Sequence, residues 1–181
     1  MKKATFPAIL STAIVCFLFW LLITGQIVAI FQGEPAAQVL IAGVIVSIVT
    51  ALFSAKFFIH SKAFYFCNPV KLLTLVFYSF IVFLWELTKA NVDVARRALS
   101  PGLPVNPGIV KVPVGLKGEY AQDMLTNSIT LTPGTITMDI TEEKGKTYYY
   151  IHWIDVATDD PVKAGDAIKG TMEKWIGRIW G

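Results

Sequence analysis

At 181 residues the chain has room for one domain, or two at most. It is 54% hydrophobic and only 16% charged, where soluble proteins average about 45–50% and about 25%, and its mean hydropathy is +0.57. An ordinary soluble protein is thereby excluded and an integral membrane protein indicated. The net charge of +3 is unevenly split: residues 1–99 hold eight Lys/Arg and three Asp/Glu, and residues 100–181 hold eight and ten. The soluble-looking half therefore has no basic face for nucleic acid.

Met1-Lys2-Lys3 precedes an apolar run from Ile9 to Phe31. It is too long for a cleaved signal segment, and no small-residue cleavage site follows it. It predicts a membrane helix over about 9–31. Gln32-Gly33-Glu34-Pro35 is a turn. A second apolar run predicts a spanning helix over about 38–58. On it Gly43, Ser47, Ala51 and Ala55 fall four apart, a small-residue stripe suited to close helix packing in lipid. A lone hairpin with such a stripe suggests neighbouring helices from other subunits. Cys16 and Cys67 lie in or beside apolar runs without CxxC spacing and read as small hydrophobes. His60 and His152 are isolated, so no metal set forms around them.

Lys56, His60, Lys62 and Lys71, interleaved with Phe64, Tyr65 and Phe66, make an interfacial loop. A third helix follows over about 70–99. It begins as a shorter apolar run and continues as an amphipathic extension with Lys89, Asp93, Arg96 and Arg97. Glu86 closes the apolar part. As an ionisable group near the membrane it is a candidate proton site; as the i,i+3 neighbour of Lys89 it is an interfacial ion pair. Basic clusters at the N-terminus, in the Lys56–Lys71 loop and after the third run all ask for the cytoplasmic side. Three crossings cannot satisfy them together. The membrane part, residues 1–99, is thus three spanning helices, or two plus an interfacial one.

Residues 100–108, rich in Pro and Gly, read as a linker. Residues 109–181 predict a small α+β domain of order β-α-β-β-α. Ile109–Val114 is an edge strand, because Pro113 lacks a donor. Glu119–Asn127 is helical. Thr132-Pro133-Gly134-Thr135 is a turn flanked by the hydroxyls of Ser128, Thr130, Thr132 and Thr135. Thr135–Thr141 alternates as a half-buried strand, Glu142–Lys146 is the hairpin loop, and Thr147–Asp155 returns. Pro161–Trp180 is a last helix with Ile168, Met172, Trp175, Ile176, Ile179 and Trp180 on the face that covers the sheet. A domain this small is marginal alone, so it leans on membrane helices or partners.

Nucleotide, zinc-protease, hydrolase and redox motifs are absent. Asp155, Asp159 and Asp160 read as a loop and helix N-cap before Pro161, with an ion site as the sharper alternative. His152, between Tyr150 and Trp153, reads as an ordinary strand histidine. No catalytic, cofactor or metal residue is assigned, and no cofactor is expected.

Several blocks add up to a family. They are Glu86–Val94, Leu99-Ser100-Pro101, Pro107–Val110, Leu125-Thr126-Asn127-Ser128-Ile129-Thr130-Leu131-Thr132-Pro133-Gly134-Thr135, and Tyr150-Ile151-His152. In order and spacing they resemble the E-type component of the Mrp/Mnh multisubunit cation/proton antiporters, whose module also occurs in archaeal membrane-bound hydrogenases and related respiratory complexes. The resemblance implies a multi-pass protein of the cell membrane with a cytoplasmic C-terminal domain. It further implies a non-catalytic accessory subunit whose partners are the other subunits and the bilayer, with no small-molecule substrate of its own. The extra stretch Gln26–Gln32 before the second helix departs from the family pattern. Two other classes stand against this reading: a self-standing small transporter or channel acting as a homo-oligomer, and a membrane-anchored enzyme.

Overall fold

The computed structural model describes residues 5–58 and 64–180. His60 and Lys62 of the expected interfacial loop lie outside them. The chain divides into two compact units, Met1–Pro69 and Val70–Gly181.

The first unit is a helical hairpin. Helix α1 spans Phe6–Ile23, and a short α2 spans Gln26–Gln32. The single helix expected over 9–31 is broken between them. Thr24 bonds back to the Trp20 carbonyl through its hydroxyl. Gly25 then takes a left-handed conformation with φ 70°, which glycine adopts at no steric cost. Gly33 ends α2 in the same way. The Gln26 side-chain oxygen accepts the Ala36 amide at 2.9 Å, tying the turn shut.

Helix α3, Ala37–Phe58, returns against α1. The stripe Gly43, Ser47, Ala51, Ala55 is buried as expected. Within the chain it lies against α1. The indole of Trp20 lies over Gly43: a Cβ there would come within 2.5 Å of its ring. The same indole donates to the Val39 carbonyl at 3.0 Å. The large side chains point outward, among them Val15, Phe19, Ile41 and Phe53. Such a surface suits lipid or other apolar helices.

The second unit begins with one long helix in three parts: α4 (Pro69–Phe77), a π-helical turn (Tyr78–Phe83) and α5 (Leu84–Leu99). Phe6–Ile23, Ala37–Ala55 and Pro69–Leu99 are the three helices long and apolar enough to cross a membrane among the described residues. A three-stranded antiparallel sheet follows, in spatial order β1-β3-β2. The strands are β1 (Gly108–Val114), β2 (Thr135–Glu143) and β3 (Lys146–Trp153). β1 is an edge strand, which Pro113 tolerates. The hairpin loop is shorter than the expected Glu142–Lys146. Lys144 and Gly145 both have positive φ, 51° and 75°, and Glu143 pairs with Lys146. This is a two-residue type I′ turn.

Helix α6 spans Glu119–Leu131, longer than expected. Its Ser/Thr-rich end stays helical because the hydroxyls of Thr126 and Ser128 bond back to the carbonyls of Gln122 and Met124. The expected final helix is two: α7 (Pro161–Lys169) and α8 (Met172–Trp180), separated at Gly170, φ 50° and ψ −124°. The order is therefore β-α-β-β-α-α. α7 packs on β1, whereas α8 packs on α6 and on the π-turn. Ile168, Met172, Ile176 and Ile179 are buried, but they serve two neighbours rather than the sheet alone. The core is completed by Tyr149, Ile151, Val112, Leu125 and Ile129, all fully buried.

Candidate functional site

A cleft of about 290 Å³ in the second unit lies between the long helix and the sheet domain. Glu86, Lys89, Ala90 and Asp93 line one wall, Thr132–Thr135 and Trp153-Ile154 another, and Ile168 and Met172 the floor. Two carboxylates and an ammonium group therefore meet the Pro133-Gly134 turn.

Each of these charges already has a structural partner or an open view of solvent. The Glu86 carboxylate is ion-paired with Lys89, as the i,i+3 spacing predicts, and its side chain is only 11% exposed. It also accepts from the Thr171 hydroxyl at 3.2 Å and reaches the Thr171 amide at 3.5 Å. It thus stands at the N-terminus of α8, where a negative charge is favoured. It also covers Gly170 so closely that a Cβ there would meet Oε1 at 2.9 Å. Asp93 is held by Arg97 Nε at 2.8 Å.

The turn is a packed corner. Gly134 has φ 91°, and a Cβ on it would lie 2.9 Å from Ile154 and 3.5 Å from Val94. Its carbonyl accepts the Ile154 amide at 2.8 Å. The hydroxyls of Thr132 and Thr135 lie 3.0 Å apart, and each is within donating distance of the Ile129 carbonyl at the end of α6, so one donates to that carbonyl and the other to it or to its neighbour. Thr130 accepts the Thr137 amide. The four hydroxyls around the turn thus close a helix end and set the start of β2.

The acidic trio is dispersed in role. Asp155 accepts from Arg97 at 2.7 Å, and the same guanidinium donates to the Pro104 carbonyl at 2.9 Å. One arginine therefore fastens the helix end, the linker and the end of β3. Asp160 caps α7, accepting the amides of Val162 and Lys163 at 2.9 and 3.0 Å. Those two amides hold its carboxyl below the usual aspartate range. Among the described residues no group of three His, Cys, Asp or Glu stands together as a metal site. His152 sits on β3 opposite Ile109 and Ile136, half-buried on the sheet face turned away from Tyr149 and Ile151. Cys16 and Cys67 are both free thiols.

Three contacts escape sequence reasoning. Tyr78, 2% exposed, shares a 2.6 Å hydrogen bond with Ser128 of α6. Lys169 donates to Glu173 and to the Pro113 carbonyl, each at 2.6 Å, while Glu173 accepts the Gly115 amide. The Arg97–Asp155 pair is the third. Polar residues inside apolar runs hint at the first, but their partners lie some 50 residues away. Elsewhere, Lys111 bridges to Glu143, which raises its pKa, and burial pushes the Tyr149 phenol up. These bonds tie strands and helices of the sheet domain to one another.

The chain is 35% identical over 148 residues to the E-type component of the Na+/H+ antiporter of Bacillus subtilis, spanning 82% of this chain and 87% of that protein. It is 38% identical over 116 residues to the E1-type component of the Na+/H+ antiporter of Staphylococcus haemolyticus, spanning 64% and 68% respectively. Among solved structures, a chain of the membrane-bound sulfane sulfur reductase, an archaeal respiratory membrane complex, superposes with a TM-score of 0.76 at 36% identity. That match covers 97% of this chain and 100% of the other. The family model for the Na+/H+ ion antiporter subunit MNHE matches residues 13–179, and the chain belongs to that family.

Proposed function

We propose that the chain is a non-catalytic accessory subunit of a multisubunit cation/proton antiport module, either free-standing or built into a respiratory membrane complex. One observation carries the reading: the family match runs across both units, residues 13–179, rather than across one of them. The charge arrangement supports it. In the cleft Glu86 and Asp93 hold Lys89, Thr171 and Arg97 in place. Among the described residues, the membrane hairpin buries small or locally bonded polar groups, such as Ser11 and Thr12, which donate to the Ala8 carbonyl.

In this reading residues 1–99 are the membrane part, 100–108 the linker and 109–181 a domain on the cytoplasmic side of the cell membrane. Its partners are the other subunits and the bilayer, and it needs no cofactor. A self-standing transporter is disfavoured, because no charged residue lies between Phe6 and Ile23 or between Ala37 and Ala55. Purification of a tagged full-length chain in mild detergent tests the proposal. Recovery with several very hydrophobic subunits is expected. Recovery alone, with cation flux from liposomes holding only this chain, would overturn it.

A further inference from the structure

Helix α8 runs antiparallel to the start of the long helix. Lys71 donates to the Arg178 carbonyl at 2.9 Å, and the Phe77 ring lies 4.9 Å from that of Trp175. Between α4 and the Trp175 ring the two helices leave an open hollow of about 300 Å³, lined by Val70, Leu73, Thr74, Phe77 and Trp175. It runs about 10 Å along α4 at 1.5 Å per residue. Its surface is hydrocarbon, because the Thr74 hydroxyl already donates to the Val70 carbonyl at 2.7 Å. Val70 and Leu73 are 67% and 68% exposed, so the described residues leave them uncovered. The rim is cationic. The Arg178 guanidinium stands 4.5 Å over the Trp175 ring that forms one wall. Lys174 is exposed one turn earlier on α8. No ion pair among the described residues includes either of them. Glu173 of α8 is engaged by Lys169, and Glu86, farther along the long helix, by Lys89. The N-terminus of α4, the positive end of its dipole, lies at the Arg178 end of the hollow.

We propose that this hollow is a binding site for one anionic glycerophospholipid. An acyl chain lies along Val70, Leu73, Phe77 and Trp175. The phosphate sits at the rim, where the Arg178 guanidinium and the Lys174 ammonium donate to its oxygens, and Lys71 adds its charge. The apolar wall selects a lipid over a free phosphate ion. The size of the hollow selects a single chain over a helix, which is about 10–12 Å across with its side chains. The uncompensated cations select an anionic headgroup, since a zwitterionic one would bring its own ammonium to the same rim. The lipid thus joins the sheet domain to the apolar run, whichever complex the chain serves.

Tryptophan quenching tests this on the full-length chain in nanodiscs of phosphatidylcholine. Phosphatidylglycerol or phosphatidylcholine brominated on its acyl chains is added in rising proportion, since bromine quenches an indole that it touches. The Trp175 signal is the difference between the parent chain and Trp175→Phe. Brominated phosphatidylglycerol is expected to quench that signal at a lower mole fraction than brominated phosphatidylcholine. The preference should fall about fivefold with Lys174→Gln and again with Arg178→Gln. Lys174→Arg should keep it, as should Lys146→Gln/Lys163→Gln, which removes two exposed charges elsewhere on the domain. Thr74→Phe, which fills the hollow, should weaken quenching by both lipids. The two lipids are compared within each variant, so a change in indole brightness does not enter. Equal quenching by both lipids in the parent chain means ordinary bilayer contact and overturns the proposal. Quenching by neither means that protein covers the hollow, and overturns it as well. So does a preference that survives loss of both Lys174 and Arg178.

Discussion

The two units of this chain use the same apolar residue types in opposite places. In the hairpin, Gly43, Ser47, Ala51 and Ala55 are inside, and Phe19, Ile41 and Phe53 are outside. In the second unit Tyr149, Leu125, Ile151 and Ile176 are inside. The difference follows from the solvent. Around the sheet domain, water drives large side chains into a core. In lipid no such drive exists, and helices hold together by close approach of their backbones.

The largest effect that separates the two regimes is a core truncation. Leu125→Ala is expected to cost the sheet domain about 2–5 kcal/mol, read as a lower unfolding midpoint. Phe53→Ala, on the outer surface of α3, should leave the folding of the detergent-solubilised chain nearly unchanged. A large loss from Phe53→Ala would end the comparison.

Next comes the substitution of a small residue at a close approach in each unit. Gly134→Val must accept φ 91° and displace Ile154. A cost of about 1–3 kcal/mol is expected, again read in the unfolding midpoint. Pro133-Gly134→Ala-Ala should be milder than the valine but still destabilising, since a Cβ at position 134 meets Ile154 at 2.9 Å and the φ of 91° remains, while no branched methyl groups are added. Normal assembly with lost transport in these variants would make the turn functional. Gly43→Val pushes Trp20 off α3 and should open the hairpin, again by about 1–3 kcal/mol. Disulfide trapping between α1 and α3 would measure the separation.

Two charge changes are smaller and of opposite sign. The carboxyl of Asp160 is held low by the amides it caps. A depressed folded pKa contributes stability above the unfolded value, about 3.9, and that contribution is lost as pH falls through the folded value. Asp160→Ala should therefore destabilise α7 at neutral pH, and the gap from the parent chain should close below about pH 4. Asp123 is shifted upward, by desolvation first and by Glu119 four residues away second. Its charged form is thus disfavoured in the fold, and Asp123→Asn should stabilise α6 at neutral pH by about 0.3 kcal/mol. Amide exchange along α6 and α7 would register both.

Much of the architecture was legible where one local force dominates. The apolar runs, the Pro113 edge strand and the Glu86–Lys89 pair follow from short-range rules. The misses sit where tertiary context overrides local preference. Lys144 adopts positive φ because Gly145 and the twist of β2 and β3 complete a I′ turn. Thr126 and Ser128 remain helical because their hydroxyls find backbone acceptors and Tyr78. Gly25 and Gly170 each cut an apolar pattern that would otherwise read as one helix. The cleft was half legible. Glu86, Lys89 and the Pro133-Gly134 turn stand out in the sequence, but that Thr171 would complete the carboxylate's surroundings depends on the break at Gly170.

The π-helical turn at Tyr78–Phe83 works as a phase corrector. The long helix meets the domain through Tyr78, Glu86, Ala90, Val94 and Arg97. Contacts repeating every four residues rotate steadily around an α-helix of 3.6 residues per turn. The wider π-turn absorbs part of that rotation, keeping the apolar and the charged halves of the helix aimed at one neighbour. Loss of a single residue between Ser79 and Phe83 would turn one half of the contact set away from the domain while leaving both halves helical.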